Sequence, residues 1–286
     1  MEKQIQKIKS ILSDHFEQEL FDASLICLNE SQNKLRFNNF AYSIRELLRH
    51  FLQRLSPDSN VQACSWFTKE AENGKPTRAQ RVKYAIQGGI DDYLLTQLGI
   101  DSQEFQVFTI AIKKSIDTLN KYTHISPDVF NLDSVEVETK SKEIISNFGN
   151  FVTAIGSCRT QVLELLEGKI EDEAIDAVIS ASFENVDSLA SHYSIDGVYI
   201  ENYYVEEINE NEIVIAVEGE INVTLSWGSN SERRNGDGHD VTDAFPYSTR
   251  VRYCIEEDFF EHTPEVDEPG VDTSKWEINP EDENLI

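Results

Sequence analysis

EINVTLSW, residues 220–227, sets Ile221, Val223, Leu225 and Trp227 against Asn222, Thr224 and Ser226 in strict alternation. A period of two sends the apolar set to one face of a strand and the polar set to the other. Working outward, residues 198–205, 212–217 and 248–255 are likewise rich in Val, Ile and Tyr. Asn209-Glu210-Asn211 and Glu218-Gly219 supply short turns, so these consecutive strands are expected to pair antiparallel. A long loop, Gly228 to Pro246, separates the last two strands; loops of that length in a compact domain are often functional.

Further upstream the period changes to that of a helix. Residues 35–55 carry the strongest stripe, Phe37, Phe40, Ile44, Leu47, Leu48, Phe51 and Leu55, stopped by Ser56-Pro57-Asp58. Residues 2–27 form an amphipathic helix on Ile5, Ile8, Leu12, Phe16 and Leu20. Residues 58–76 read as irregular. Thr77 caps a helix to about Leu98, with Gly88-Gly89 a candidate interruption. The next helix, 102–125, is built on Phe105, Phe108, Ile112, Ile116 and Leu119; others follow over 136–167, ending before Gly168, and 171–191. The expected fold is therefore α+β: an N-terminal helical bundle over 1–168, a helix plus small antiparallel β module over 169–256, and an acidic, flexible tail over 257–286.

The formal net charge is −27, which taken alone argues against a protein that coats nucleic acid. The charge is uneven, however. Residues 31–85 hold ten Lys/Arg against four acids, a balance of +6, while residues 256–286 hold twelve acids against Lys275 alone, a balance of −11. No apolar run reaches the ~18 residues of a membrane span, and no apolar signal core follows Met1. The four cysteines have no zinc or redox spacing and read as reduced thiols, so a cytoplasmic protein without membrane contact is expected.

No phosphate-binding Gly loop, nucleophile elbow, zinc pattern or dinucleotide fingerprint is present, and no cofactor is expected. Asp237, His239 and Asp240 lie in a Gly-rich acidic loop without EF-hand spacing; metal binding there is the minor alternative to a loop of Asx turns. The informative feature is in helix 102–125. Lys113, Asp117, Asn120 and His124 fall at intervals of four, three and four, on one strip. A His, an amide and a Lys in one row can perform metal-free phosphodiester chemistry. His124 would move a proton near neutral pH, Asn120 would orient a phosphate or ribose hydroxyl, and Lys113 would stabilise developing charge. The plainer reading is a solvated face with a Lys113–Asp117 pair. Arg45 and Arg49 share a face of the helix over 35–55. His50 lies about 140° around from Arg45 at ~100° per residue, so one helix does not unite them. Arg78, Arg81 and Lys83, with Lys75, form a third basic cluster suited to phosphate backbones or to plain solvation.

The stretches FAYSIRELLRHFLQRL, SWFTKEAENGKPTRAQRVKYAI and LNKYTHISPDVF resemble the helical part of bacterial proteins known as predicted Piwi-associating nucleases, which belong to conflict and phage-defence neighbourhoods. DSLASHYSIDGVYIENYYVEEI, VEGEINVTLSWGSNSERRNGDG and DAFPY resemble the β module at the C-terminus of such proteins. The helical part also looks like the HEPN superfamily of helical bundles, many of them metal-independent RNases. The HEPN hallmark is an Arg, four to six residues, then a His. Arg45 to His50 fits that spacing with Glu46 after the Arg. Asn120 and His124 match the other half of the hallmark, but Leu119 stands where the Arg belongs. The resemblance implies RNA or another nucleic acid as substrate, a homodimer, and an operon-encoded partner protein. Its rival is a non-catalytic interaction protein of the same systems.

Overall fold

A computed structural model describes residues 1–256 and 258–276, with nothing stated of the side chains of Asn230 and Arg233. The chain divides into two compact units, Met1–Val162 with Asn209–Asn211, and Leu163–Ile208 with Glu212–Ile286.

The first unit is helical. It runs α1 (Glu2–Ile11), α2 (His15–Asn29), α3 (Arg36–Leu55), α4 (Asp58–Ala63), α5 (Arg78–Gln87), α6 (Asp92–Gln97), α7 (Ser102–Thr123) and the first part of α8 (Ser134–Ser180). The stripe on α3 is its centre. Phe37, Phe40, Ile44, Leu47, Leu48 and Phe51 are all buried, with Ile112, Ile116, Leu119 and Tyr122 of α7. Phe51 meets Phe148 and Phe151 of α8 edge to face at 5.5 and 6.2 Å. Arg54 of α3 holds Glu17 of α2 at 2.8 Å, and Glu17 is 2% exposed.

Several boundaries differ from expectation. The single helix expected over 2–27 is two, because the Asp14 carboxylate accepts from the Glu17 N–H and starts a new helix. Residues 58–63, expected to be irregular, form α4. Gly88-Gly89 does interrupt 77–98: Gly88 takes φ 59°, and Asp91 caps α6. Gly168 does not end a helix. Cys158, Val162, Leu166, Ile170, Ala174 and Val178 continue a buried i, i+4 row through it. A helical Gly costs only about 1 kcal/mol, less than the stripe recovers by burial.

The second unit is a meander, β1 (His192–Ile208), β2 (Glu212–Trp227), then α10 (Asn230–Asn235) and β3 (His239–Cys254), in the antiparallel order β1-β2-β3. α9 (Glu184–Asp187) precedes it, so the helix expected over 171–191 gives way earlier. Glu218-Gly219 is no turn: β2 passes straight through. A Cβ on Gly219 would sit 2.0 Å from the Tyr199 carbonyl oxygen, so Gly is needed for close strand approach. The expected long loop is half strand, since His239 pairs with Trp227 and the ladder runs unbroken to Cys254. Ile221, Val223, Leu225, Phe245 and Tyr247 bury one sheet face with Val178, Phe183 and Val186.

The segment after Phe259 returns to the sheet rather than leaving it. β4 (Glu265–Val266) and β5 (Gly270–Val271) pair with β3. Arg252 grips both oxygens of Asp267 at 2.8 and 3.1 Å, and Trp276 donates to Asp243 at 2.6 Å. Residues 277–286 of the expected tail lie outside the described residues.

Candidate functional site

Four elements of the helical unit converge on one polar cleft of about 490 Å³. α3 supplies Arg45, Glu46, Arg49, Leu52 and Gln53; Asp58 comes from the start of α4; Lys75, Arg78 and Arg81 come from the entry to α5; Ile116 and Asn120 come from α7. Five cations face two carboxylates, a balance of +3 within a chain of net charge −27.

The geometry follows from three local locks. Thr77 and Gln80 form a reciprocal capping box, and Gln80 also donates to the Thr68 carbonyl at 2.7 Å, which fixes the start of α5. Ser56 and Arg81 bond twice: the Ser56 hydroxyl donates to the Arg81 carbonyl at 2.7 Å and the Arg81 guanidinium to the Ser56 carbonyl at 2.6 Å. The third lock holds the last turn of α7, whose carbonyls have no helical partner. Asn38 donates to the Tyr122 carbonyl at 2.8 Å, and Arg45 donates to the Thr123 hydroxyl at 3.0 Å. The Thr123 hydroxyl in turn donates to the Asn120 carbonyl at 2.8 Å.

Each carboxylate is shared by two cations. Glu46 accepts from Arg45 at 2.8 Å and from Arg49 at 2.9 Å. Burial raises the Glu46 carboxyl, but the hydrogen bonds from both arginines outweigh it and hold it below the ordinary carboxylate value. Asp58 is bound by Arg81 and lies 3.9 Å from Lys75. Arg78 makes no hydrogen bond or ion pair among the described residues and is exposed. Gathering Lys75, Arg78 and Arg81 at the positive end of α5 is electrostatically costly, and Asp58 offsets only part of it. The lining of the cleft thus keeps a positive excess after both carboxylates are counted.

The residues singled out from sequence are brought together only in part. Arg45, Arg49, Arg78, Arg81 and Asn120 line the cleft. Lys83 does not; it pairs with Asp92 at 2.9 Å and lies over the Trp66 ring, beside a separate hollow. His50 packs edge-on against Phe16 at 5.2 Å. Its Nε2 is 3.1 Å from the Arg49 guanidinium, so Nε2 is the acceptor, because a guanidinium only donates. His124 is exposed, caps α7 with extended backbone (φ −104°, ψ 111°), and is not a lining residue. It directly follows Thr123, the hydroxyl that Arg45 holds, which puts its Cα about 3.8 Å from the Thr123 Cα.

The strip Lys113, Asp117, Asn120 and His124 is the divide between two hollows. Asn120 lines the arginine cleft, whereas Lys113 and Asp117 line a hollow on the other flank of α7. The Lys113–Asp117 pair is not formed; neither makes a hydrogen bond or ion pair among the described residues. Asp237, His239 and Asp240 do not converge, and no group of three or more His, Cys, Asp or Glu suited to a metal exists among the described residues. The His239 ring stacks on Trp227 at 6.2 Å instead. Sequence reasoning missed Asp58 and Thr123. Glu46 was legible, since it sits one residue past Arg45 and three before Arg49, within reach of both. No helix among the described residues is long and apolar enough to cross a membrane.

An α+β chain with a positively lined cleft in its helical unit is the class these observations define. Residues 9–148 match a family model described as "Predicted pPIWI-associating nuclease", and residues 155–277 match a second model of the same description. The two matches span most of the chain, and it belongs to this family. No curated protein and no solved structure matches it.

Proposed function

We propose that this protein is a nuclease that cleaves RNA without a metal ion, holding the phosphate backbone in the arginine cleft. The observation that carries the reading is the excess of three positive charges around Asn120 in a strongly acidic chain. Arginines suit phosphate because the planar fork donates two hydrogen bonds to one anion. Glu46 and Asp58 orient the guanidinium groups before substrate arrives, and preorganised donors stabilise charge that develops later. Asn120 orients the scissile phosphate or the ribose 2′-hydroxyl. His124, one residue beyond the Arg45-held Thr123, takes the 2′-hydroxyl proton as the new O2′–P bond forms. The P–O5′ bond breaks, and the 5′-oxygen leaves with a proton from solvent. The charge-stabilising role falls to Arg45, Arg49 or Arg78 rather than Lys113, which lines the other hollow.

The same reading takes the protein to be a cytoplasmic component of a bacterial anti-phage or conflict system. Its substrate is RNA, its partner is of the pPIWI kind that the family description names, and its working assembly is a HEPN-like homodimer. The β module then serves recognition of the partner or trigger.

Purified protein, single-stranded RNA and excess chelator make the test. The expected products carry 2′,3′-cyclic phosphate ends, and His124→Ala loses cleavage while keeping RNA binding. Cleavage that appears only on adding a divalent ion contradicts this chemistry. A second reading, a non-catalytic RNA-binding or interaction protein, is favoured by one fact: His124 does not line the cleft. Binding without cleavage in every assembly selects it.

A further inference from the structure

The hollow on the other flank of α7 takes no part in the chemistry above. Lys113, Lys114, Asp117, Lys121 and Tyr122 of α7 and Lys140 of α8 line a depression of about 600 Å³. Four cations face one carboxylate there, again a balance of +3. Lys114 and Lys140 are tied to glutamates outside the lining, Glu143 at 3.3 Å and Glu136 at 3.5 Å. Lys113 and Lys121 make no hydrogen bond or ion pair among the described residues. The Lys121 and Lys140 ammonium groups lie 5.6 and 5.5 Å from the Tyr122 ring centre, a distance at which the ring attracts each of them.

The two hollows are not independent patches. At about 100° per residue, Asn120 lies only ~20° around α7 from Lys113, two turns further along. Lys121 lies about 80° to the far side of Lys113 on the same arithmetic. One ridge, Lys113 to His124, therefore has arginines down one slope and lysines down the other. An anion confined to either hollow would need only one of them. A long polyanion draped over the last turns of α7 meets both, and passes the Asn120–His124 stretch between them. The side-chain chemistry fits that division: bidentate arginines where a phosphate must be oriented, point-charge lysines where the backbone need only be held.

We propose that the lysine hollow is the second half of the phosphate track for one polynucleotide strand, binding backbone on the far side of the ridge from the arginine cleft. This rests on the nucleic-acid reading of that cleft. The test is equilibrium binding of uncleavable 2′-O-methyl RNA, a 4-mer and a 20-mer, to the full chain over a range of salt. Each lost single-strand phosphate contact lowers the salt slope by about 0.7, so Lys113→Gln/Lys121→Gln should lower the 20-mer slope by about 1.4. Asp117→Asn should steepen it. Binding of the 4-mer, whose three phosphates match the three excess charges of the cleft, should not change in either variant, and that also controls for folding. A 20-mer slope unmoved by the lysine changes overturns the proposal, as does equal weakening of 4-mer and 20-mer. So does a 20-residue polyglutamate that outcompetes RNA on the wild type and loses that advantage on the double variant. If the 4-mer fails to bind the wild type at all, it is the cleft reading that has failed.

Discussion

Replacing Arg78 by alanine is the cleanest perturbation of the cleft, because Arg78 has no intramolecular partner to orphan among the described residues. It stands in the first turn of α5 behind an intact Thr77–Gln80 capping box, and alanine is as good a helix former as arginine. The fold should not notice the change. Binding should. Of five cations in the cleft, two are neutralised by Glu46 and Asp58, leaving three to displace counterions from a bound strand. At about 0.7 per neutralised phosphate, the wild-type slope of log K against log salt is about −2.1 for a short oligonucleotide. Between about 50 and 200 mM salt that slope costs roughly 20-fold in affinity. With Arg78→Ala the slope falls to about −1.4 and the loss over the same range to roughly 7-fold. Fluorescence anisotropy of a labelled 4-mer at several salt concentrations reads both numbers. An unchanged or steeper slope in the variant would show that Arg78 faces no phosphate, and the reasoning from charge balance would be wrong.

Three further outcomes follow from the packing and protonation of the chain. Arg54→Ala leaves the Glu17 carboxylate buried without its partner, and should destabilise the protein by about 3 kcal/mol in urea unfolding; a change below about 1 kcal/mol would refute the role of that pair. Arg252 holds the Asp267 carboxyl below its ordinary value of 3.8. Its stabilisation of the β4 clip is therefore fully present above that value and is lost as pH falls through the depressed one, so the stability gap between wild type and Asp267→Asn should close on acidification. A gap that widens toward acid would reverse the sign. Burial pushes the Cys64 and Cys158 thiols up to about 12, so a thiol reagent at pH 8 should label exposed Cys254 first and reach those two only on unfolding.

Much of the scaffold could be read from residue pattern. The α3 stripe, the Thr77 cap and the break at Gly88-Gly89 all appear where local chemistry puts them. Two of the misread boundaries share one cause: at Gly168 and Gly219 a glycine reads as punctuation where tertiary contacts override it. Gly168 sits inside a buried i, i+4 row, and Gly219 sits where Tyr199 of the neighbouring strand comes too close for any side chain. Neither neighbour is visible in a linear reading. The cleft was legible only as loose parts. Basic residues at 45–49 and 75–81 could be named, but their convergence depends on the Ser56–Arg81 bonds and on Asp58, a residue with no motif of its own. Lys113, Asp117 and Asn120 lie on α7 at the spacing of one face, while His124 follows the helix as its C-cap. That this face is a divide between two hollows depends on where α3, α5 and α8 pack, which spacing on α7 alone does not encode.

Photocrosslinking tests the central claim most directly. A single-stranded RNA bearing 4-thiouridine is bound to the full chain, irradiated, and the attached peptides are mapped. The account predicts attachment within residues 36–55, 75–87 and 113–124, weakened by Arg78→Ala. Attachment confined to residues 192–276, or none at all under conditions where RNA binds, would contradict it.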